Sequence, residues 1–498
     1  MYSSLLLEMA AEGLGPRVAS GSPDGLTFVA LLARARSAAA YIAGTGASTV
    51  AYLGLNSGAF PMALFAAGIA GRPFAPLNYR LPDADLRRIA ARTAPSLAIV
   101  DDDLVPRMSG IDGVSVVSRS SFLSASEAVS DITAPPPDPD DVAVLLFTSG
   151  TTGEPKAAVL RHRHLTSYVI ATVDFMGAAE HEATLISVPP YHIAAVSAAL
   201  TSTYAGRRTV YLEAFSPEDW IRTAKQERVT HAMVVPTMLG RILDALERSG
   251  ESLPHLRHLS YGGGRMPVQT IERALRLLPQ VDFVNAYGLT ETSSTIAVLG
   301  PEDHRTAAQS TETSVRARLG SVGRPLPTIE LEIRDADGNP VAAGTEGEIW
   351  VRGEQVSGEY LNGTSIRSGG WFPTHDCGCL DEGGFLFLGG RLDDVIVRGG
   401  ENISPGEIED VLRAHPQVED VAVIGLPDVE WGERIAAVIV SRAQVGDEEL
   451  RQFVRQRLRS TRTPEEIFFR AGLPYTETGK LLRRALKQEL ARPSAGRG

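Results

Sequence analysis

The stretch "LLFTSGTTGEPKAAVL", residues 145–160, places a polar turn between two apolar runs. Residues 144–147 are expected to form a buried strand and residues 157–160 a second packed element, so the turn has a rigid base. Its composition suits a polyphosphate, because the glycines let several backbone amides converge on one anion and the lysine adds positive charge. The candidate phosphate contacts are Thr148, Ser149, Gly150, Thr151, Thr152, Gly153 and Lys156.

The turn differs from a Walker A loop. That motif requires a lysine directly after its last glycine, whereas Glu154 and Pro155 intervene here and Ala157 follows the lysine. A nucleotide switch of the P-loop class is therefore not expected. An ordinary hairpin turn rich in Gly, Ser and Thr remains the alternative interpretation of this stretch taken alone.

Length and composition are those of a folded, multi-domain enzyme. A chain of 498 residues is too long for one compact core and suggests roughly two to four units. The hydrophobic fraction of 43% and the charged fraction of 22% are typical of a soluble globular protein. A formal charge of −12 argues against broad attraction to nucleic acid or to an anionic membrane surface.

We expect a cytoplasmic location. The N-terminal "MYSSLLLEMAAEG" lacks the basic region and the long apolar core of a secretory signal. The most apolar stretch, residues 57–71, is too short to span a membrane and contains Pro61. The two cysteines, Cys377 and Cys379, have no second pair that would complete a zinc site, so both are expected to be reduced.

Strand-like and helical patterns alternate over residues 25–100 and 183–300, which predicts sheets covered by helices. Residues 124–141 are polar and proline-rich and predict an exposed connection. Residues 315–390 show β-alternation, and the pattern restarts near residues 392–394 with its own strands and helices. The predicted class is α/β: a large N-terminal domain of βα-layered sheets, a small β-barrel-like subdomain, and a small C-terminal α+β domain.

Three of the predicted strands end in polar or glycine-bearing turns, "YHI" at residues 191–193, "YGGG" at 261–264 and "YGLTE" at 287–291. Ligands of open α/β sheets collect at the carboxyl ends of the strands. We therefore expect these turns to form walls of one cleft.

Five motifs resemble those of the acyl-adenylate-forming superfamily, whose AMP-dependent acyl-CoA synthetases activate carboxylic acids. In chain order the motifs are "FTSGTTGEPKAAV", "AYGLTE", "GGWFPTHD", "GRLDDVIVRGGENISPGEIE" and "LPYTETGKLLRR". The resemblance covers residues 25–487. It implies an N-terminal adenylation domain at residues 1–392, which binds ATP and the acyl substrate, and a mobile C-terminal domain at residues 393–498.

The implied reaction joins a small-molecule carboxylic acid to Mg-ATP, releases pyrophosphate, and transfers the acyl group from the adenylate to the thiol of coenzyme A. Catalysis then depends on positioning and on fixed positive charge around the phosphoryl oxygens. ATP, Mg²⁺ and coenzyme A are the implied cofactors and substrates. Transfer to an acyl carrier protein is the close alternative, and a non-catalytic relative that binds nucleotide or acyl-adenylate is the alternative from another class. A homodimer is a family-level expectation.

On the nucleotide side, the resemblance assigns adenine stacking to Tyr287, a phosphate contact to Thr290 and Mg²⁺ binding to Glu291. One glutamate suffices for Mg²⁺, which also takes phosphate oxygens and water. For Glu291 taken alone, a carboxylate favoured by a helix dipole is the alternative. Asp376 and Arg391 resemble the pair that binds the ribose hydroxyls.

In the C-terminal domain, Lys480 resembles the lysine that bridges the substrate carboxylate and the α-phosphate. Without the other motifs, it would be interpreted as a solvated charge in a basic tail. Asp393 falls at the hinge position, where a short segment absorbs the domain rotation. After rotation, the resemblance implies a thiol tunnel lined by Arg398, Gly399, Gly400, Glu401 and Asn402.

On the acyl side, His192 matches a position near the substrate carboxylate, although a lone histidine is equally compatible with a structural role. The Tyr191-His192 pair lacks the aspartate by which relatives that activate amino acids pair with the ammonium group, which disfavours an amino acid substrate. The expected pocket loop comprises Tyr261, Gly262, Gly263, Gly264 and Met266. The candidate catalytic residues are Lys480, Glu291, Thr290 and His192.

Two positions depart from the family pattern. Ala157 and His375 each stand where the family usually has glycine. Neither change by itself predicts an inactive protein.

Overall fold

The structure is a computed structural model that describes residues 1–128, 135–148, 156–398, 401–429, 431–475 and 481–491, with only the backbone described at residues 401 and 402.

The helices in chain order are α1 Leu5–Leu14, α2 Phe28–Gly44, α3 Ala59–Ile69, α4 Asp83–Ala91, α5 Val105–Met108, α6 Arg119–Glu127, α7 His162–Thr172, α8 Ile193–Ala205, α9 Pro217–Gln226, α10 Pro236–Ser249, α11 Val268–Leu277, α12 Pro301–Gln309, α13 Thr313–Ala317, α14 Pro405–Arg413, α15 Asp447–Arg455 and α16 Arg483–Leu490.

The strands are β1 Val18–Ser20, β2 Leu26–Thr27, β3 Thr49–Leu53, β4 Phe74–Pro76, β5 Ser96–Val100, β6 Val114–Ser118, β7 Val142–Thr148, β8 Lys156–Arg161, β9 Ala183–Ile186, β10 Arg208–Tyr211, β11 His231–Val234, β12 His258–Gly262, β13 Asp282–Leu289, β14 Ser294–Leu299, β15 Arg324–Pro325, β16 Glu330–Arg334, β17 Gly347–Arg352, β18 Glu359–Tyr360, β19 Gly363–Thr364, β20 Phe372–Leu380, β21 Leu386–Arg391, β22 Ile396–Arg398, β23 Glu401–Ile403, β24 Val418–Asp428, β25 Gly432–Ser441 and β26 Glu466–Phe469.

Two large sheets form the N-terminal part of the protein. The nine-stranded sheet has the order β15-β14-β13-β12-β11-β9-β10-β1-β2, and the eight-stranded sheet has the order β19-β18-β8-β7-β4-β3-β5-β6. Both have parallel centres; the nine-stranded sheet is antiparallel at both edges, whereas the eight-stranded sheet is antiparallel on the β7-β8-β18-β19 side and parallel at the β6 edge. Parallel strands are covered on both faces, which is why β3 and β5 are buried at every residue and mostly apolar.

Helices packed between the two sheets join them into one core. The core includes α2, α3 and α8 together with strands of both sheets. The apolar stretch at residues 57–71, too short to cross a membrane, contains α3, whose residues are buried around nearly the whole helix. A helix that is apolar on every side is stable in water only when other elements cover it.

The β-rich region predicted at residues 315–390 is present as a four-stranded antiparallel sheet. Its order, β16-β17-β20-β21, is an open path within the described chain, so the predicted barrel is not closed. This sheet packs against β13 and β14 through a shared cluster that includes Tyr287 and Phe372. It therefore brings β20 and β21 next to the end of the nine-stranded sheet.

The C-terminal part has its own sheet, in the order β23-β22-β25-β24 with β26 paired to β25, and its own core beneath α14 and α15. Residues 392–394 form a single 3₁₀ turn that leads into β22. An ion pair between Arg265 and Asp410, and a hydrogen bond from the Ser404 hydroxyl to the Gly389 carbonyl, connect this unit to the rest of the protein. The predicted α/β class with a small C-terminal α+β unit is confirmed.

No helix among the described residues is long and apolar enough to cross a membrane. The connection predicted at residues 124–141 begins inside α6, which extends to Glu127. Residues 129–134 of that connection lie outside the described part of the chain.

We predict that Phe60→Ala strongly destabilises the shared core. Phe60 is fully buried in α3 and its ring meets Tyr52 and Phe74 edge-on, at 5.7 and 5.6 Å between ring centroids. The cavity left behind should lower the free energy of unfolding by about 3–5 kcal/mol, measured by urea denaturation. Val29→Ala on the exposed side of α2, where Val29 is 54% exposed, should change it by less than about 0.5 kcal/mol. Equal effects of the two changes would contradict the packing described here.

Candidate active site

The predicted phosphate loop connects the antiparallel strands β7 and β8. Thr148 and Lys156 are register partners at the end of this hairpin, and the Thr148 hydroxyl donates to the Lys156 carbonyl at 3.4 Å. The Lys156 ammonium is exposed and lies 5.4 Å from the centroid of the Tyr360 ring. The other predicted phosphate contacts, Ser149, Gly150, Thr151, Thr152 and Gly153, lie outside the described residues.

Ala157, the first departure from the family pattern, lies within β8. Its side chain is 1% exposed, its register partner is Phe147, and its carbonyl accepts a hydrogen bond from the Leu361 amide at 3.0 Å. The added methyl group therefore packs into the interior at the base of the loop.

Glu291 lies on a 3₁₀ turn, Thr290–Thr292, at the end of β13. Its carboxylate Oε1 accepts a hydrogen bond from the Tyr360 hydroxyl at 2.7 Å, and its backbone carbonyl accepts from the Ser357 and Gly358 amides. Burial, together with the negative charge of Glu291, raises the pKa of Tyr360, so this phenol remains a donor at neutral pH. Sequence reasoning missed Tyr360, because it lies 69 residues from Glu291 and only the pairing of β18 with β8 brings it close.

The backbone that follows Glu291 is strained and held from one side. Ser293 and Ser294 have φ values of 56° and 113°, in the region that side chains rarely adopt. The Gln355 amide donates to the Thr292 and Thr295 carbonyls at 3.0 and 2.7 Å, and Gln355 is 1% exposed. Gln355 was also missed, since no pattern in the sequence connects it to this turn.

The predicted ribose pair is brought together by strand register. Asp376 on β20 and Arg391 on β21 are direct register partners, with Arg391 Nε 2.8 Å from Asp376 Oδ1. The Tyr287 hydroxyl, from β13, donates to Asp376 Oδ2 at 2.7 Å, and Arg391 also donates to the Thr374 carbonyl at 3.1 Å. Burial and the adjacent Asp376 carboxylate raise the pKa of Tyr287 well above its usual value. Residues of the nine-stranded sheet and of the four-stranded sheet therefore both contact the Asp376 carboxylate.

His375, the second departure, has a left-handed backbone with φ 58°. Such a conformation suits glycine, and histidine adopts it at some cost. The imidazole Nδ1 lies 3.2 Å from Glu348 Oε1. The position where the family usually has glycine is thus occupied by a histidine that contacts the Glu348 carboxylate.

His192 precedes α8 and points its ring into the protein. Its Nε2 is buried and has no hydrogen-bond partner within the described chain. Burial lowers the pKa of His192 to about 4, so the imidazole is neutral at physiological pH. The centroid of the His192 ring lies 4.6 Å from that of the Tyr191 ring. The Tyr191 ring in turn meets the Tyr79 ring edge-on, with 5.5 Å between their centroids. An unpaired buried nitrogen beside aromatic rings fits a ligand with both a polar and an aromatic part.

Tyr261 does not reach open space. It is fully buried, and its hydroxyl lies 2.8 Å from the buried Nε2 of His304. Burial raises the pKa of Tyr261 and lowers that of His304 to about 4, so both groups are neutral. This placement argues against the pocket-lining role expected for the Tyr261 side chain.

The other residues of the expected pocket loop differ in exposure. Met266 packs into the same core as Tyr261. Gly262 is buried against β13, where a Cβ atom would clash with the Ala286 carbonyl. Gly263, with φ 78°, and Gly264 are exposed, so only the loop tip can face a ligand.

The predicted thiol segment is described in part. Arg398 on β22 forms an ion pair with Glu465 at 2.6 Å, and its guanidinium carbon lies 4.8 Å from the centroid of the Trp431 ring. Trp431 is 45% exposed and lines a surface groove with Arg398 and Arg434. Asp393 is exposed in the 3₁₀ turn before β22. Gly399, Gly400 and Lys480, together with the side chains of Glu401 and Asn402, lie outside the described residues.

Glu291 is the acidic side chain that the resemblance assigns to Mg²⁺. Within the described residues, no group of three or more His, Cys, Asp or Glu side chains could hold a metal ion by itself. The Glu291 carboxylate, held by Tyr360, fits a magnesium ion whose other ligands are phosphate oxygens and water.

The family model of the AMP-binding enzymes matches residues 7–361, and that of the AMP-binding enzyme C-terminal domain matches residues 407–480. The chain therefore belongs to the AMP-binding enzymes.

Known relatives narrow the class. Feruloyl-CoA synthase of Amycolatopsis sp. is 34% identical over 444 residues, 87% of each chain. The fatty acid–[acyl-carrier-protein] ligase ScoC of Streptomyces coeruleorubidus is 30% identical over 462 residues, 90% of this chain and 87% of the relative. The solved o-succinylbenzoate CoA synthetase of Bacillus subtilis, in complex with its acyl-adenylate intermediate, has a TM-score of 0.85 and 29% identity over 97% of both chains. The predicted class of ATP-dependent, AMP-forming acyl-CoA ligase is confirmed.

We predict that Tyr261→Phe lowers stability without changing affinity for the acid. Loss of the hydroxyl leaves the buried His304 Nε2 unpaired, which should cost about 1–3 kcal/mol of unfolding free energy, measured by denaturant titration. Tyr41→Phe, at a residue 37% exposed, serves as the matched control and should be nearly neutral. A raised KM for the acid with unchanged stability would instead support the expected role of Tyr261 in lining the acyl pocket.

Proposed function

We propose that this enzyme activates an aromatic carboxylic acid with Mg-ATP and transfers the resulting acyl group to coenzyme A. The observation that carries the proposal is that two oriented carboxylates adjoin β13: Glu291 at its end, held by Tyr360, and Asp376, held by Tyr287 of β13 and by Arg391. The first group suits a metal-bound triphosphate and the second a ribose.

Pyrophosphate release requires positive charge and donors around the phosphates. The exposed Lys156 and the hydroxyls and amides of residues 148–153 supply them, and Thr290 adds a hydroxyl beside Glu291. Magnesium, when bound at Glu291, neutralises charge on the phosphate oxygens. In this proposal Lys480 completes the site by contacting both the substrate carboxylate and the α-phosphate.

The nucleoside is proposed to bind at Asp376. Tyr287 and Arg391 donate to one oxygen each, which fixes the carboxylate in the orientation proposed to accept the ribose hydroxyls. Tyr287 is only 8% exposed, and adenine stacking on its ring stays a prediction.

The acid is proposed to bind beside His192. Its neutral imidazole has a buried nitrogen without a partner, and Tyr191 and Tyr79 extend an aromatic surface from it. Ring stacking favours an aromatic acid over an aliphatic one. The similarity to a feruloyl-CoA synthase and to an o-succinylbenzoate CoA synthetase supports the same substrate class.

Thiol transfer is proposed to require rotation of residues 393–498 against residues 1–392 about Asp393. The Arg265–Asp410 ion pair and the Ser404–Gly389 hydrogen bond join the two parts in the described arrangement. Rotation to any other arrangement breaks both. In one arrangement Lys480 reaches the phosphates, and in another the segment from Arg398 to Asn402 borders the thiol path.

We propose the groove at Trp431 as the contact for the nucleotide end of coenzyme A. One face of this indole is covered by Arg398, and the residue is 45% exposed beside the segment proposed to border the thiol path. An exposed indole stacks on any base. Arg398 and Arg434 pair with Glu465 and Glu466 in the described structure, and in this proposal they exchange those partners for phosphates.

An assay of acyl-adenylate formation tests the whole proposal. The protein with Mg-ATP and a panel of aromatic, aliphatic, polycyclic and amino acids should form adenylate from the aromatic acids, detected by mass spectrometry. Addition of coenzyme A should convert it to acyl-CoA. Lys480→Ala should slow adenylate formation by about 10²- to 10³-fold, since a transition-state charge donor is lost. Arg484→Ala, in the same basic tail, is the control and should retain most of the rate.

Three other outcomes have distinct meanings. Adenylate that persists with coenzyme A but disappears with an acyl carrier protein would favour the carrier-protein alternative, which the ScoC similarity motivates. Nucleotide binding without adenylate from any acid would favour a non-catalytic binder. Adenylate from aliphatic acids alone would refute the aromatic substrate class. A cytoplasmic location and a homodimer remain predictions, to be tested by cell fractionation and light scattering.

We predict that Trp431→Ala raises KM for coenzyme A by about tenfold, because one base-stacking contact is lost. The rate of adenylate formation, which needs no thiol, should not change. Phe469→Ala removes another exposed aromatic side chain of the same unit, 40% exposed, and should leave KM unaltered. A loss of adenylate formation in Trp431→Ala would contradict the assignment.

A further inference from the structure

His375 lies in a bulge that carries the ribose-binding aspartate. Trp350 on β17 pairs with Pro373 on β20, and Glu348 on β17 pairs with Cys377 on β20. These pairs are two residues apart on β17 but four residues apart on β20, so β20 contains two extra residues here. The residues between these pairs, including His375 and Asp376, have no register partner on β17, while Asp376 still pairs with Arg391 on β21. Bulges of this kind redirect a side chain beside an active site.

Two contacts hold the bulge to β17. The Thr374 hydroxyl donates to the Ile349 carbonyl at 2.8 Å and accepts from the Asp376 amide at 3.1 Å, and Thr374 is 1% exposed. His375 Nδ1 lies 3.2 Å from Glu348 Oε1. The Glu348 carboxylate is itself fixed, because its Oε2 accepts from the Trp350 indole at 2.9 Å.

We propose that His375 is a positioning residue, whose contact with Glu348 holds the bulge in the conformation that presents Asp376 to the ribose. This inference rests on the proposed nucleotide site at Asp376. It assigns a role to the residue that stands in place of the usual turn glycine. A glycine would adopt the backbone conformation freely but would leave the bulge without this tether.

The charges around His375 make the tether depend on pH. Glu348 faces it from β17, Arg391 from β21 and Asp393 from the 3₁₀ turn, and the close contact with Glu348 has the largest effect. The pKa of His375 is raised above its usual value. Burial alone would raise the pKa of Glu348, but the contact with His375 outweighs it and lowers that pKa.

The sign of the pH dependence follows from the raised pKa. A histidine with a raised pKa contributes fully when the pH is below its ordinary value, and the contribution is lost as pH rises through the folded-state pKa. The tether is therefore strongest at mildly acidic pH. Nucleotide affinity should benefit most in the same range.

The test compares AMP binding by wild type, His375→Gly and Glu348→Gln, measured by isothermal titration calorimetry. Glycine tolerates the left-handed backbone, so the first variant should fold, as thermal melting will check. Glu348→Gln keeps an acceptor but removes the charge. His181→Gln, at an exposed histidine elsewhere, is the control.

We predict that His375→Gly weakens AMP binding by about fivefold near pH 6, and that the effect falls below about twofold as the pH is raised toward 9 and the imidazole loses its proton. The phosphate of AMP changes its protonation with pH in the same way in both measurements. The ratio of variant to wild-type Kd at each pH therefore removes its effect. Glu348→Gln should show the same trend. In steady-state assays, KM for ATP should rise with little change in kcat.

The outcomes separate this inference from the proposed function. Wild type that binds AMP, with ratios near one at every pH for both variants, would overturn the role of His375 alone. A ratio that is large but independent of pH would indicate a structural effect and would also overturn it. Wild type that binds no AMP would remove both the nucleotide site and the residue that positions it.

Discussion

The turn that carries Glu291 depends on hydrogen bonds from the segment at residues 355–360. Gln355 holds two carbonyls of the turn, the Ser357 and Gly358 amides bind the Glu291 carbonyl, and the Tyr360 hydroxyl holds its carboxylate. The same segment runs into β18, which pairs with β8 behind the phosphate loop. A strained turn needs such support, because the surrounding structure must over-determine its conformation. This one segment sets the position of the Glu291 carboxylate relative to the loop between β7 and β8.

The two carboxylates of the site are held in a similar way. Glu291 accepts from Tyr360 and Asp376 from Tyr287, and both phenols keep their protons because their pKa values are raised. A neutral donor orients a carboxylate without neutralising its charge. That charge stays available to a cation at Glu291 and to hydroxyl groups at Asp376. Arg391 adds a cation only on the ribose side.

Much of the fold and part of the site followed from sequence patterns. The alternation of strands and helices predicted the layered sheets, and the motif order predicted the class and the pairing of Asp376 with Arg391. Tyr261 was expected to line a pocket but is buried against His304. A tyrosine beside three glycines carries no local signal that its hydroxyl has a buried partner 43 residues away.

The sequence by itself determined which chemical groups are present, in which order, and on which side of each buried strand they fall, because side-chain alternation and turn chemistry are local properties. Tertiary structure decided which groups meet. Tyr360 reaches Glu291, Gln355 reaches the strained turn, and His375 reaches Glu348 only because separate strands pair in a particular register. Contacts between distant residues depend on how whole elements pack, and no local pattern records them.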